Sequence, residues 1–392
     1  MTQLIHTRLW STCGLRDNQQ PCENGVFYVC VIYMNVRGFP AILQTLKMKK
    51  VVAFGNPLLD TTISVYDTVL LDKYNLKLDG QKEIAENEMK RLSQDVSGYQ
   101  QHISAGGCAQ NSLRVLQWLM AKKCRAVIFG SVGKDKEAAI LTQLLEDDGV
   151  QTRYFEQDDL PTGKTIALVS SEYRSLVAHI GAAEKLPLNQ FLLEKDVPNL
   201  VLSSDFVYIE GFFLTNRVET AKYILDFCNK HNKVAIFNIS GEYVCDLYPT
   251  VVKHFVENSD IVFGNKREFE ALAKIMNMKN VNELTNHLIK GAKNKMDTYG
   301  NIIIITDGSN PGTCISKCGK IENFVVPKID PKDIKDTTGA GDAFTGGFIA
   351  GLCRNKPLAD CAKIGCYSAF HIIQQTGCTL PNFQPNILDC NN

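Results

Sequence analysis

The chain has 392 residues, 45% of them hydrophobic and 21% charged, a globular composition with ample material for a large core. Its 42 basic residues balance 42 acidic ones, so no global field favours nucleic acid or an anionic membrane surface. Its 14 cysteines include no C-x-x-C pair, which argues against a zinc-finger pattern; many lie in apolar runs, as reduced thiols in an intracellular compartment do.

Residues 1–47 differ from the rest of the chain. Their run V-F-Y-V-C-V-I-Y-M (26–34) is too short to span a bilayer, and Arg16, Asp17 and Glu23 before it make a poor signal peptide. A poorly ordered leader is expected, with organised sequence starting at Met48. From there, V-V-A-F-G (51–55) reads as a buried strand, residues 107–121 as a helix, A-V-I-F-G (126–130) as a strand and 136–145 as a helix. F-V-Y-I-E (206–210), V-A-I-F-N (234–238), D-I-V-F-G (260–264) and I-I-I-I-T (302–306) continue the series. Nearly continuous apolar strands between helices predict an α/β fold, a parallel sheet covered on both faces. T-T-I-S-V-Y (61–66) and a hairpin over 165–180 break the rhythm and predict a small projecting sheet, placed to act as a lid. Helices at about 341–354 and 357–375 close the chain.

The densest chemistry is D-T-T-G-A-G-D-A-F-T-G-G (336–347), with an apolar helical face at Phe344, Phe348, Ile349 and Leu352 just beyond it. Its glycines thus lie at a helix N-terminus, where free N–H groups and the helix dipole favour an anion. It is no Walker loop, and a dinucleotide fingerprint would need glycine where Phe344 stands. P-T-G-K-T (161–165) imitates a Walker ending but has Asp158 in place of the first glycine. What remains is an anion hole with an acid, Asp342, inside it. Phosphoryl transfer to an alcohol wants both, the amides for the phosphoryl charge and the carboxylate for the hydroxyl proton. A first-turn acid that merely complements the helix dipole accounts for Asp342 equally well on this stretch alone.

D-T-x-G-A-G-D together with A-G-G-C-A-Q-N (105–111) resembles the two signatures of the ribokinase family of small-molecule kinases, over about residues 48–384. G-N-P-L-L-D (55–60), P-T-G-K-T, R-S-L-V-A (174–178), G-F-F-L-T (211–215), G-N-K-R-E (264–268) and T-G-C-T (376–379) resemble the branch of that family that phosphorylates adenosine. The resemblance implies a ribokinase-like fold, a large α/β domain with a β lid drawn from about 61–104 and 160–182, and a tail at 385–392. It implies ATP-dependent phosphorylation of the adenosine 5′-hydroxyl to AMP with Mg2+, in a monomer that is cytoplasmic, with the nucleus as an alternative, and that binds neither nucleic acid nor membrane.

By the same resemblance, Asp342 is the general base and the amides of Gly339, Ala340 and Gly341 are the anion hole, with Arg174 reaching phosphate from the lid. Asp60 accepts the sugar 2′- and 3′-hydroxyls, and Gly106, Gly107, Cys108 and Asn111 complete the clamp with Asn56 nearby. Gln81, Thr165, Leu176, Ala178 and Phe212 surround adenine; Leu176 and Ala178 share a strand face by their spacing of two. Asn265 and Glu268 organise magnesium through water, and Thr306 and Gly308 lie against the nucleotide. Each has a plainer reading: Asp60 a turn acid, Arg174 a solvated charge, the adenine set ordinary core, and Asn265-x-x-Glu268 a capping box. Cys108 and Thr338 stand where Ser and Asn are expected, Tyr243 where Phe is expected near the purine, and Cys366 where His is expected near the ATP adenine. A kinase of another nucleoside or of a free sugar is the nearest rival, although Leu176, Phe212 and Tyr243 favour a flat apolar base. A non-catalytic nucleoside-binding protein is the rival of a different class, opposed by the intact Asp342 and glycine loop.

Overall fold

The computed structural model describes residues 48–392 apart from 66–67, 79, 171–172, 291–300, 317 and 390–392. The leader, Tyr66, the 171–172 hairpin turn and the last three tail residues fall outside the described residues. In chain order the strands are β1 (Lys50–Phe54), β2 (Leu58–Ser64), β3 (Gln81–Glu83), β4 (Gln101–Gly106), β5 (Arg125–Gly133), β6 (Val150–Gln157) and β7 (Gly163–Ser170). They continue with β8 (Tyr173–His179), β9 (Phe206–Glu210), β10 (Val234–Asn238), β11 (Ile261–Asn265), β12 (Ile302–Asp307), β13 (Asn310–Ile315) and β14 (Ile321–Phe324).

Nine strands form one sheet in the order β14-β13-β12-β11-β10-β9-β1-β5-β6. It is parallel from β12 through β6, and β13 and β14 join antiparallel at one edge. The apolar strands bury both faces, because alternate side chains point to opposite sides. Val51, Ala53, Phe206, Tyr208, Ile236 and Phe263 enter one core, with the helices Cys108–Leu119, Ala340–Cys353 and Leu358–Ile372 over it. Val52, Phe54, Val207, Ile209, Phe237 and Val262 enter the other, beneath Val218–Lys230, Pro249–Asn258 and Lys266–Ile275.

The other five strands form a second sheet in the order β3-β8-β7-β2-β4. Ile63, Ile166, Leu168 and Val177 on one of its faces pack with Leu70, Leu71, Met89 and Leu92 from two short helices. The register puts Asp60 opposite Thr165 and Ser104, Thr165 opposite Ala178, and Ala167 opposite Leu176, all on the opposite face. β3 and β4 went unread in the sequence because they are short edge strands, and exposed Gln101, His102 and Ile103 give β4 no apolar alternation.

In the large sheet the chain runs from β1 outward through β5 and β6, then returns to β9 on the other side of β1. The carboxyl ends of parallel strands around such a switch point form the natural ligand crevice of an open α/β sheet. Asn56, Glu210, Asn238, Asn265 and Thr306 all lie at or just beyond those ends. No helix among the described residues is long and apolar enough to cross a membrane.

Candidate active site

The glycine loop ends as its composition requires. Gly339 takes the left-handed conformation (φ 74°) just before the helix Ala340–Cys353. A methyl group there would sit 2.8 Å from the Cys378 Cβ, so both the torsion and the space call for glycine. A methyl at Gly341 would meet nothing within 4 Å, since that position opens into the cleft. Ala340 N–H, the middle of the three expected anion-hole amides, donates to the Thr337 carbonyl at 3.2 Å. Among the described residues the N–H groups of Gly339, Gly341 and Asp342 meet no acceptor, so the first turn presents Asp342 N–H where Ala340 N–H was expected. Thr338 Oγ1, at the same loop, is buried without a partner.

Asp342 is 9% exposed and lies in the first turn of that helix. Asn111 Nδ2 donates to its Oδ2 at 3.0 Å, and Ser112 Oγ donates to its backbone carbonyl at 3.0 Å. Burial lifts its carboxyl to about 6, against the hydrogen bonds from Asn111 and the Cys108 thiol, and the negative charge of Asp60 adds to the rise. Burial and the Asp342 carboxylate together push the Cys108 thiol well up, so Cys108 stands beside the acid as a neutral donor.

Asp60 faces the same space from the second sheet. Thr165 Oγ1 donates to its Oδ1 at 2.5 Å, and burial raises it to about 6 against that bond and the charges of Arg174 and Arg114. Any side chain at Gly106 would overlap the Asp60 carboxylate, and one at Gly107 would run into the Asn56 carbonyl. Those two glycines let the strand carrying the acid lie directly against the start of the helix Cys108–Leu119. The face bearing Asp60 also carries Thr165, Leu176, Ala178 and Arg174 at every second position. Gln81 lies opposite Leu176 in register, and its side chain is outside the described residues. Phe212 stacks on Tyr243 with ring centroids 5.7 Å apart, a flat aromatic pair with Tyr243 half exposed. Arg174 Nε lies 3.7 Å from Asp336 Oδ2.

Asn265 and Glu268 form the capping box, its side chain and backbone bonds all between 2.8 and 3.0 Å. Glu268 nevertheless lines one cleft with Asp342, Cys108, Gly341 and Thr306. Burial, with the charges of Glu242 and Asp342, lifts it to about 7 against the Asn265 backbone bond. The plain and the functional readings of this pair therefore describe one arrangement. Thr306 pairs with Asn265 across the sheet, and Gly308 (φ 58°) turns the chain into β13 with open space around it. Cys366 is buried in the core.

Four residues around the cleft carried no assignment from sequence. Glu210 and Arg217 lie beneath it, fully or almost fully buried. Asp336 accepts from Thr338 N at 2.9 Å and from Gly377 N at 2.9 Å, tying the glycine loop to T-G-C-T. Arg114 joins Asp148, the Ala105 and Cys378 carbonyls and Asn111 Oδ1. Glu210, a charge ending an apolar strand, gave the one usable signal.

A model of the pfkB family carbohydrate kinases matches residues 76–385. The chain is 32% identical to adenosine kinase 2 of Arabidopsis thaliana over 336 residues, 83% of this chain and 94% of that protein. It is 31% identical to the adenosine kinase of Dictyostelium discoideum over 86% of this chain and 98% of that one. Among solved structures, Anopheles gambiae adenosine kinase in complex with P1,P4-di(adenosine-5) tetraphosphate matches with a TM-score of 0.74 at 32% identity, covering 86% of this chain and 100% of that one. Schistosoma mansoni adenosine kinase in complex with adenosine and AMP matches with a TM-score of 0.73 at 28% identity, covering 86% and 99%. The fold is ribokinase-like.

Proposed function

We propose, from the premise that this chain belongs to the pfkB family of carbohydrate kinases, that it transfers the γ-phosphoryl group of ATP to the 5′-hydroxyl of adenosine, giving AMP. The observation that carries this reading is the buried Asp342 carboxylate, set among N–H groups that meet no acceptor among the described residues and close enough to Asp60 to feel its charge. The adenosine kinases of similar sequence and structure supply the choice of adenosine and of ATP.

In this reading the adenosine sugar rests on Asp60, whose two oxygens suit two vicinal hydroxyl donors, and Asn111 keeps Asp342 turned toward the 5′-oxygen. As that oxygen attacks phosphorus, its proton passes to Asp342, while the amides of Gly339, Gly341 and Asp342 stabilise the charge on the moving group. The base lies against Phe212, Leu176 and Ala178. Asp60, Thr165, Leu176 and Ala178 belong to the second sheet, so its approach would exclude water that ATP could otherwise phosphorylate.

Among the described residues no cluster of three His, Cys, Asp or Glu side chains could hold a metal. Beside Asp342, Glu268 brings a second buried acid to the cleft, with both oxygens already engaged by Asn265. That donor set fits a Mg2+ held by ATP phosphates and water, with Glu268 and Asn265 orienting the water. When bound, the ion would neutralise phosphate charge. The cytoplasmic monomer, the lid and the leader at 1–47 remain part of this proposal.

Purified protein with Mg-ATP and, separately, adenosine, 2′-deoxyadenosine, inosine or ribose tests it. AMP from adenosine, lost in Asp342→Ala, is the expected result. Preferential phosphorylation of ribose or inosine would overturn the adenine pocket, and no transfer to any acceptor would overturn the kinase reading.

A further inference from the structure

The deepest carboxylate of the cleft is placed to touch neither substrate. Glu210 ends β9, fully buried, and both its oxygens are taken by backbone. Oε1 accepts Asn56 N–H at 2.6 Å and Oε2 accepts Ala109 N–H at 2.5 Å. Asn56 opens the short turn that leads to β2 and Asp60, and Ala109 is in the first turn of the helix carrying Cys108 and Asn111. One carboxylate therefore fastens the two backbones that present Asp60 and the Asn111–Asp342 pair. The space is cut to it: a methyl at Gly55 would lie 2.8 Å from the Glu210 Cδ and 2.5 Å from the Ala109 Cβ.

Arg217 completes the arrangement from the other side. It is 2% exposed, and its guanidinium donates to Asn56 Oδ1 and to the carbonyls of Phe212 and Ala183. It also lies 4.2 Å over the Phe213 ring. Asn56 is thus held by its amide from the acid and by its side chain from the base, and Phe212, half of the aromatic pair, is held by its carbonyl. Two charges buried in this way, each bonded to neutral groups, are a poor device for stability, since well-packed apolar residues commonly serve as well or better. They suit a site in which a shift of about 1 Å costs up to about a hundredfold in rate.

We propose that Glu210 and Arg217 are positioning residues for the phosphoryl acceptor, setting Asp60 and Asn111 through Asn56 and Ala109, and Phe212 through its own carbonyl; this rests on the acceptor site of the proposed kinase. The ionised acid is essential to the arrangement because it presents two acceptors to two amides. Glu210→Gln keeps the size but turns an NH2 group toward one of those N–H groups. Arg217→Lys keeps the charge but loses the planar fork that spans four acceptors, the Thr215 carbonyl among them.

The test is steady-state kinetics on wild type, Glu210→Gln and Arg217→Lys, with thermal unfolding and amide hydrogen exchange. Expected for Glu210→Gln is faster exchange at 55–60 and 107–112. A fall of about tenfold or more in kcat/KM for adenosine should accompany it, with the KM for ATP within about twofold of wild type. Wild-type exchange in those segments, or wild-type kinetics, would overturn the proposal. So would a parallel loss for adenosine and ATP that follows the melting temperature, the mark of a structural role. If Glu210→Gln does not fold, the same split is read from Arg217→Lys. Wild type that phosphorylates ribose or inosine but not adenosine would sink the adenosine reading alone, and the split measured with that acceptor would then decide the positioning role.

Discussion

At the scale of single residues, the cleft is defined by carboxylates kept where water would not leave them. Asp342 and Asp60 both stand at about 6, raised first by burial and then by the other acidic groups nearby. In the proposed mechanism both must be ionised, Asp342 to take a proton and Asp60 to accept two hydroxyls. Glu210, whose ionised form the acceptor site also needs, is lifted by burial to about 7. The acid limb of kcat/KM should therefore fall more steeply than one titration allows below about pH 7, and Asp60→Asn should make it shallower in its residual activity. A limb of unit slope in wild type would mean that only one of the acids titrates there. The same burial links to stability. A folded-state pKa raised from 3.8 means the folded form prefers the neutral acid, so this contribution is fully present below about 3.8 and lost as pH rises through about 6. Asp342→Asn removes that penalty while keeping an acceptor for Asn111. It should cost about 10²–10⁴-fold in rate, yet raise the melting temperature at pH 8, by roughly 1–3 kcal/mol of stability; calorimetry beside the assay checks both. Asp342 and Asp60 were legible in the sequence because an acid in a glycine loop, or just past an apolar strand, is locally conspicuous. Glu210 carries the same strand-end signal, but the roles of Glu210, Arg217 and Asp336 were not legible, since their partners are brought from distant segments and no local spacing records that.

At the scale of elements, the helix start at 339–342 separates folding from function between two neighbouring glycines. Gly339→Ala must force a left-handed torsion and displace Cys378, whereas Gly341→Ala meets no protein atom within 4 Å. The first should destabilise the protein by about 1–3 kcal/mol. The second should leave unfolding unchanged but place a methyl over the free amides, lowering kcat and raising the KM for ATP. Thermal melts and kinetics on the pair test this; equal destabilisation of both would show that the open side of Gly341 is not where phosphate comes. Long apolar strands such as Val51–Phe54 and Ile302–Ile304 were plain in the sequence because a parallel strand buried on both faces needs an unbroken apolar run. The edge strands β3 and β4 needed no such run. The pair Asn265 and Glu268 shows a different limit, because a capping box and a water-orienting pair require the same residues at the same spacing.

At the scale of the whole molecule, two side-chain contacts reach from the second sheet to the segments around the glycine loop. His102 Nε2 lies 2.9 Å from Thr379 Oγ1, and Arg174 Nε lies 3.7 Å from Asp336 Oδ2. Asp336 keeps its bonds to Thr338 N and Gly377 N whether or not Arg174 stays, so the acid would remain satisfied when the guanidinium leaves it. Arg174 can then exchange a carboxylate for the transferring phosphoryl group without stranding a buried charge. A tether role and a phosphate role predict different variants. For a tether alone, Arg174→Gln should weaken adenosine and ATP alike and lower stability. For the phosphate role, it should cost about 10²–10³-fold in kcat, the usual effect of removing one stabilising group from a transition state. Adenosine binding should fall far less than kcat, by no more than the help that the Arg174 charge gives to ionising Asp60. Stability should change by about 1 kcal/mol or less, since the pair is partly open to solvent and longer than an ideal ion pair. Calorimetric titration of adenosine, with kcat from the same preparations, separates the two. A wild-type kcat with weakened adenosine binding would assign Arg174 to holding the second sheet and leave phosphate to the amides of the helix start.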